Sequence, residues 1–349
     1  MKLLFLFEEL SGYFLACVNE LALSHEIEVH VIHKEVNVQA PFTFSKTDNI
    51  NLYDRLKFKE DELAAFIHQL NPGAIYCGGW ANSSYKKICR NYVSHMPVIL
   101  GFDNQWTGSL RQRIAGRLAF FYITPYFNRC FVPGMLQKQF ARKLGFPENR
   151  IFTGAYSADQ PFFASICEKY EAEKEKQFPR RFVFAGRYVK EKGIDILWQA
   201  FSELATEDGM DWELWCLGTG PEPAFEHPRI RHLGFVQPEE MSGIMEQTGV
   251  FVLPSRFEPW GVVVHEFAAA GFPLICSDQV GAAEAFLRNG VNGYVFPTNN
   301  TGELKQALRR MIKQDTSGLL EMGRQSSQLA KQITPMTWAS TVYKMIQPS

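Results

Sequence analysis

Short apolar runs rich in β-branched and aromatic residues alternate with helix-like segments along the first half of the chain. This alternation predicts a doubly wound, largely parallel α/β sheet in which each strand is followed by a helix. Open sheets of this kind bind ligands beyond the carboxyl ends of their strands, so the residues after each run are candidate site residues. The predicted strands are residues 2–7, 27–34, 74–79, 97–102, 129–133 and 150–154.

The pattern breaks between Tyr156 and Arg181. The stretch EKYEAEKEKQFPRR is charged, lacks a continuous apolar stripe and ends next to a proline. That composition predicts a linker over residues 166–180. We therefore expect one Rossmann-like domain over residues 1–165 and a second over residues 181–335.

Composition narrows the class of protein. With 349 residues, 46% of them hydrophobic and 21% charged, the chain has the composition of a globular protein with room for two cores. A net charge of -1 gives no global attraction to nucleic acid. Seven scattered cysteines without a CxxC pair favour a reducing cytoplasm, and the apolar start is interrupted by Glu8 and Glu9, as expected for a strand rather than a signal peptide.

The stretch LPSRFEPWGVVVHEFAAAG at 253–271 carries the strongest candidate chemistry. It predicts a strand that ends near Leu253, a loop with Glu258, and a helix that begins at Trp260 or Gly261 and ends at Gly271. The exposed N–H groups of the first helical turn, at Gly261, Val262 and Val263, are suited to bind a phosphate. Carboxylates on either side of a phosphate favour neutral hydroxyls as partners, and a sugar nucleotide has hydroxyls on both sides of its diphosphate.

Glu258 and Glu266, separated by PWGVVVH, resemble the EX7E paired-glutamate motif of the retaining glycosyltransferases of family 4. The segments FAGRYVKEKG and AAAGFPLICSD are similar to further motifs of that family. The resemblance implies a GT-B fold, with two Rossmann-like domains facing across a cleft and a terminal helix at 336–349 crossing back to the first domain. It also implies retention of configuration and a role such as polysaccharide biosynthesis.

The resemblance implies roles for further residues of the donor side. Arg187 and Lys192, after the strand at 181–186, would bind the diphosphate as a pair of cations. Glu258 would hold the hydroxyls of the donor sugar and Glu266 those of the ribose. Backbone groups near the base, the sugar or the phosphates would come from Gly186, Gly234, Phe235, Val236 and Gly12, although Gly12 is equally explained as a strand-to-helix turn glycine.

Two polar loops in the first half are candidates for acceptor binding. CGGWANSSY and GFDNQWTGS follow predicted strands and contain Trp80 and Trp106, which could stack on sugar rings. Asp103, Asn104 and Gln105 could bind hydroxyls. Many members of the family have a histidine in one of these loops, and here Asp103 either takes its place in the active site or caps the next helix.

Residues 108–127 place Arg111, Arg113 and Arg117 beside an apolar and aromatic run. Such a segment either rests on an anionic membrane or holds a lipid-linked acceptor, or it is a core helix with a charged outer face. We expect the protein to be cytoplasmic. If the segment binds a membrane, the protein would be peripheral to the inner face of that membrane.

The sequence thus predicts a hexosyl- or N-acetylhexosaminyl-transferase that uses a nucleotide-diphosphate sugar, with UDP the first expectation from family frequency. The acceptor would be a glycan or a lipid-linked glycan. No DxD motif occurs, and we expect neither a metal nor another cofactor. Two alternatives stay open: a sugar-nucleotide epimerase on the same fold, and a non-catalytic subunit that binds a nucleotide sugar.

Overall fold

The computed structural model describes residues 1–34 and 49–347. The chain forms two compact units, Met1–Ser157 with Ile333–Ser349, and Ala158–Gln332. Each unit is built around one parallel sheet with helices, so the prediction of two doubly wound domains is confirmed. No helix in these ranges combines the length and the apolar composition needed to cross a lipid bilayer.

In its described residues, the first unit has a seven-stranded sheet in the order β3-β2-β1-β4-β5-β6-β7, with every neighbouring pair parallel. The strands are β1 Lys2–Leu6, β2 Glu28–His33, β3 Ile50–Asp54, β4 Ala74–Gly78, β5 Val98–Gly101, β6 Arg129–Val132 and β7 Ile151–Thr153. The helices of this unit are α1 Gly12–His25, α2 Glu60–Leu70, α3 Ser83–Tyr92, α4 Leu110–Tyr122, α5 Met135–Lys143 and α13 Pro335–Ile346.

Successive residues of β1 point to opposite faces of this sheet and enter two different cores. Leu3 and Phe5 pack in one cluster with residues of α1 and α13. Leu4 and Leu6 pack in the other, with residues of α2, α3 and α5. Burial on both faces explains why the strand is a continuous apolar run rather than an alternating one.

Helix α13 belongs to the first unit although it follows the second unit in the chain. Trp338 is buried in the cluster that contains Phe5 and Phe14, and its indole N–H donates to the carbonyl oxygen of Ala155 at 2.9 Å. Helix α13 lies at the position of the terminal helix predicted from the sequence. Of the predicted range 336–349, residues 348–349 lie outside the described residues.

The second unit has a six-stranded parallel sheet in the order β10-β9-β8-β11-β12-β13. Its strands are β8 Arg181–Ala185, β9 Glu213–Leu217, β10 Ile230–Gly234, β11 Val250–Leu253, β12 Leu274–Ser277 and β13 Gly293–Phe296. The helices are α6 Gln160–Lys176, α7 Ile194–Ala205, α8 Met241–Gln247, α9 Val262–Ala269, α10 Ala283–Phe286, α11 Thr301–Ile312 and α12 Thr316–Ala330.

The structure differs from the predicted linker at 166–180. The units divide between Ser157 and Ala158, and most of the charged stretch is the second half of helix α6. This helix packs on α9 and α12, and its buried residues include Phe163 and Ile166, so it is part of the second unit. The apolar anchors precede the charged stretch, which is why the sequence pattern suggested a linker.

Candidate functional site

The carboxyl ends of β8 and β11 meet where the strand order of the second sheet reverses. β8 pairs with β9 on one side and with β11 on the other, in parallel in both cases. The loop 186–193 after β8 and the loop 254–261 after β11 therefore leave the same edge of the sheet. We call them the switch-point loops, because open α/β sheets bind their ligands at such a reversal.

Arg256 ties the two switch-point loops together. Its guanidinium donates to both carboxylate oxygens of Asp195 at 2.6 and 2.7 Å and to the carbonyl oxygen of Lys190 at 2.7 Å. The backbone N–H groups of Arg256 and Phe257 donate to the carbonyl oxygen of Glu191 at 2.7 and 3.2 Å. The hydrogen bonds from Arg256 also hold the pKa of Asp195 below its usual range. The loops are thus positioned as one structure.

Lys192 and Glu258 form an ion pair between these loops. The Nζ atom of Lys192 contacts Oε2 of Glu258, and the two side chains are only 20% and 10% exposed. Glu258 is fixed by a backbone bridge to Val280, and its N–H donates to the carbonyl oxygen of Gln279 at 3.2 Å. The family resemblance implies a diphosphate as the partner of Lys192 and sugar hydroxyls as the partners of Glu258, and the structure brings the two side chains into contact.

The Lys192–Glu258 ion pair lies at the start of helix α9, because Glu258 is next to Gly261. Gly261 is the N-cap residue of α9, with φ of 91°, and no side chain caps the helix there. A methyl group on Gly261 would lie 2.8 Å from Cγ of Glu258. Glycine is therefore required twice, by the left-handed backbone and by the close approach of Glu258. The N–H of Val264 donates to the carbonyl oxygen of Gly261 at 3.0 Å, so the N–H groups of Val262 and Val263 are the first-turn donors suited to a ligand, and they begin beside the carboxylate that holds Lys192.

Helix α9 turns one side away from the core. Val262, Val263 and Glu266 are partly exposed, and they share a side of the helix because residues four apart lie one turn above each other. The buried residues are Val264, His265, Phe267, Ala268 and Ala269. Desolvation by the surrounding protein raises the pKa of the Glu266 carboxyl to about 7, even though part of the side chain reaches solvent.

His265 has a structural role. Its Nδ1 accepts a hydrogen bond from the N–H of Ala158 at 3.0 Å, and its Nε2 lies 3.0 Å from the carbonyl oxygen of Ala330. Since Nδ1 is an acceptor, Nε2 carries the proton and donates. Burial lowers the pKa of His265 to about 4, so the ring is neutral and joins the start of the second unit to helices α9 and α12.

The other donor-side candidates lie at the same edge of the second sheet. Arg187 is exposed, directly after Gly186, whose N–H donates to the carbonyl oxygen of Leu217 at 3.0 Å. Gly234 ends β10 with φ of 72°, and a Cβ there would meet open space. Phe235 and Val236, which follow it, are half-buried.

The two candidate tryptophans of the first unit are anchored on its core. Trp80 packs edge-to-face on Phe102 with ring centroids 5.2 Å apart, and Trp106 lies 5.8 Å from Phe140. Each tryptophan is thus partly buried, and neither is fully buried. Next to Trp106, the carbonyl oxygen of Gln105 accepts from the side-chain amide of Gln112 at 2.6 Å, while Asn104 is exposed.

Asp103 does not cap the following helix. Ser109 is the N-cap residue of α4, and its hydroxyl accepts from the N–H of Gln112 at 3.3 Å. Burial, and then the negative charge of Asp103, raises the pKa of the Tyr156 hydroxyl well above its ordinary value.

The ring of Tyr156 packs on Tyr13 at 5.8 Å, and Tyr13 follows Gly12, the first residue of α1. Gly12 has open space where a Cβ would lie. Gly12, Asp103 and Tyr156 follow β1, β5 and β7, so all three lie at the carboxyl edge of the first sheet.

Sequence reasoning missed Arg256 and Tyr156. Arg256 lies two residues before Glu258, and an arginine so close to a candidate carboxylate was the signal available for it. Tyr156 follows β7, the last strand of the first unit, at the carboxyl edge of the sheet. In the described residues, no three His, Cys, Asp or Glu side chains are grouped in a way that could hold a metal ion.

Residues 179–314, which contain both switch-point loops, match the model of a protein family described as "Glycosyl transferases group 1". A similar protein is the alpha-D-kanosaminyltransferase of Streptomyces kanamyceticus, which is 29% identical over 184 residues. That alignment takes in 49% of this chain, and the chain spans about half the length of the relative, 47%.

Two solved structures resemble the chain over almost its whole length. Anabaena HepE in complex with UDP and glucose has a TM-score of 0.71 at 15% identity, with 99% of this chain and 98% of that chain covered. Sucrose-phosphate synthase from Thermosynechococcus elongatus has a TM-score of 0.73 at 14% identity, with 99% and 98% covered. Together with the two doubly wound units, these similarities confirm the GT-B fold.

Proposed function

We propose that this chain is a glycosyltransferase that moves a hexosyl or N-acetylhexosaminyl group from a UDP-sugar to a glycan or lipid-linked glycan. The observation that carries the proposal is the Lys192–Glu258 ion pair at the start of helix α9, between the switch-point loops. The match of residues 179–314 to glycosyl transferases group 1 supports the reaction class. The UDP held by HepE supports the choice of base.

The chemistry follows from the charge that develops when the glycosidic bond to the diphosphate breaks. Negative charge grows on the leaving UDP, and a preorganised cation and helix N-terminus stabilise it more than they stabilise the intact donor. Lys192 has three N–H donors, of which Glu258 uses one, so the ammonium can contact a phosphate without giving up the ion pair. Arg187 would add a forked guanidinium on the same edge.

The finer roles belong to the same proposal. Glu258 would accept hydrogen bonds from hydroxyls of the donor sugar, and Glu266 from the ribose, as the resemblance to the paired-glutamate motif of family 4 implies. Gly186, Gly234, Phe235 and Val236 would approach the nucleotide. Gly12 would bind the donor and Asp103 would act in catalysis. Retention of configuration and catalysis without a metal or another cofactor are part of what we propose.

The first test is a thermal-shift panel with UDP, GDP, ADP, dTDP and UMP. A ligand at about 100 times its Kd adds about 2.7 kcal/mol of apparent stability. We expect the largest shift with UDP and a smaller one with UMP, because UMP lacks the second phosphate. A panel in which no nucleoside diphosphate shifts the transition would contradict the proposal.

The second test is product analysis. A glycosyltransferase releases UDP and glycosylates an acceptor, which mass spectrometry of a glycan and glycolipid extract would detect. Conversion of the UDP-sugar to an epimer without acceptor would contradict transfer and support the epimerase. Persistent UDP-sugar binding with no turnover on any acceptor would support a non-catalytic subunit.

A further inference from the structure

Helix α4 exposes nearly all of its length. Of its thirteen residues only Ala119 is buried. Several large apolar side chains are mostly in solvent: Leu110 at 74%, Ile114 at 51%, Leu118 at 48%, Phe120 at 72% and Phe121 at 71%. The reading of residues 108–127 as a core helix with a charged outer face is therefore wrong, because the outer face of α4 is apolar as well as charged.

These apolar residues form one line along the helix. At about 100° per residue, Leu110, Ile114, Leu118 and Phe121 fall within about 80° of the helix circumference. We call these four residues the α4 stripe. Exposed apolar residues scattered singly need no explanation, but a continuous stripe with adjoining Phe120 is the kind of surface that marks an interaction site.

Arginines border the α4 stripe on both sides. On the same helical projection, Arg113 and Arg117 lie on one side and Arg111 on the other, and all three are exposed. Across residues 1–34 and 49–347, no carboxylate forms an ion pair with any of the three, although carboxylate partners are found for arginines elsewhere. Arg113 donates to the backbone carbonyl of Gly108 at 2.9 Å.

The positive charge extends over the neighbouring chain. Residues 63–147 contain ten Lys and Arg and a single acidic residue, Asp103, for a net charge of +9, whereas the whole chain has -1. Part of this charge lies next to the stripe, where Arg90 of α3 lines a surface groove of about 460 Å³ together with Phe120, Phe121, Thr124 and Pro125. The groove thus combines a cation with two exposed aromatic rings.

We propose that the α4 stripe docks on an anionic lipid bilayer, with its apolar side chains in the headgroup and upper acyl region and its arginines on lipid phosphates. An apolar stripe bordered by arginines is how interfacial helices bind membranes, through buried apolar area together with attraction to anionic lipids. The charge decides between occupants, since a second copy of this chain would place its own exposed Arg111, Arg113 and Arg117 against those of the first. This inference does not depend on the proposed transfer reaction.

The test is flotation of the full chain with vesicles of phosphatidylcholine, and with vesicles that also contain phosphatidylglycerol. We expect binding to the anionic vesicles at about 0.05 M salt and its loss near 1 M, where the screening length falls to about 3 Å. The triple variant Arg111→Gln, Arg113→Gln, Arg117→Gln should bind roughly 100-fold more weakly. The double variant Phe120→Ser, Phe121→Ser should lose at least about tenfold.

Two matched controls use exposed residues elsewhere. The triple variant Arg310→Gln, Lys313→Gln, Lys331→Gln removes as much charge from the second unit, and Leu23→Ser with Leu56→Ser removes apolar side chains that are 59% and 63% exposed. Both should bind anionic vesicles within about twofold of the wild type. All variants should keep the wild-type thermal transition, because exposed substitutions change stability little.

Three outcomes would overturn the proposal. The wild type could fail to float with anionic vesicles at low salt, or the stripe variants could bind as well as their controls. The third is a vesicle-free dimer that the Phe120→Ser, Phe121→Ser variant converts to a monomer, since a second copy would then cover the stripe. UDP titration of each variant separates these outcomes from a failure of the transfer reaction, because α4 belongs to the first unit and the switch-point loops to the second.

Discussion

Replacing Lys192 with methionine removes the cation at the start of α9 while keeping most of the side-chain volume. In the proposed reaction, Lys192 stabilises charge that appears mainly as the donor bond breaks, and loss of one such preorganised group costs about 2–4 kcal/mol. The expected fall in kcat/KM is therefore about 30- to 1000-fold. The assay is release of UDP from the UDP-sugar, with titration of UDP to separate binding from turnover.

The same substitution has a predictable cost to folding. Glu258 is 10% exposed and would lose its ion-pair partner. Breaking a fully buried pair costs about 3–5 kcal/mol, but Lys192 is 20% exposed and part of the pair is hydrated, so we expect a loss of about 1–3 kcal/mol in the free energy of unfolding.

Lys190→Met is the matched control, because Lys190 lies in the same 3₁₀ turn and is exposed. It should keep both activity and stability. The reasoning is refuted if Lys192→Met turns over like the wild type, or if Lys190→Met has an equal defect.

Three further predictions address neighbouring residues. A lysine in place of Arg256 cannot make both hydrogen bonds to Asp195 and the one to the carbonyl oxygen of Lys190. For Arg256→Lys, kcat/KM should therefore fall about tenfold, which corresponds to about 1–2 kcal/mol of transition-state stabilisation. The control Arg310→Lys should leave kcat/KM unchanged, and equal activities of the two variants would reject the positioning role of Arg256. In Gly261→Ala the new methyl group would lie against Glu258, and alanine disfavours the φ of 91° at this position. Urea unfolding should therefore show a loss of about 1–3 kcal/mol in the free energy of unfolding. Gly243→Ala, where the Cβ would lie in open space, should not be destabilised. The carboxyl of Glu266 has a pKa of about 7 in the folded state, above the ordinary 4.5, so the folded state binds this proton more tightly than the unfolded state does. As the pH rises from 4.5 to 7, the free energy of unfolding of the wild type should therefore fall by up to about 3 kcal/mol relative to that of Glu266→Gln. Parallel pH profiles of the two proteins would contradict this.

The sequence predicted the central strands because they are buried on both faces and read as continuous apolar runs. Strand β3 was missed, since it lies at the sheet edge, where Leu52 is 38% exposed and the apolar signal is weak. The prediction of a linker at 166–180 also differs from the structure, in which most of that range belongs to helix α6. Its C-terminal half is charged, and only packing on α9 and α12 shows that the helix belongs to the second unit.

The candidate site was predictable to the extent that it is local in sequence. Glu258, Gly261 and Glu266 lie within nine residues, and a strand followed by a helix suffices to group them. Their relation to Lys192 depends on β8 and β11 being neighbours, which strand order decides and hydrophobic periodicity does not. Arg256 was missed for the same reason, because its partner Asp195 is distant in sequence.

The central claim is that the diphosphate of the donor binds between Lys192 and the first turn of α9. A crystal structure of the chain with UDP tests it most directly. We expect phosphate oxygens about 2.7–3.2 Å from the backbone nitrogens of Val262 or Val263 and from Nζ of Lys192. A UDP molecule whose phosphates lie away from the start of α9, with Lys192 paired to Glu258 alone, would contradict the account.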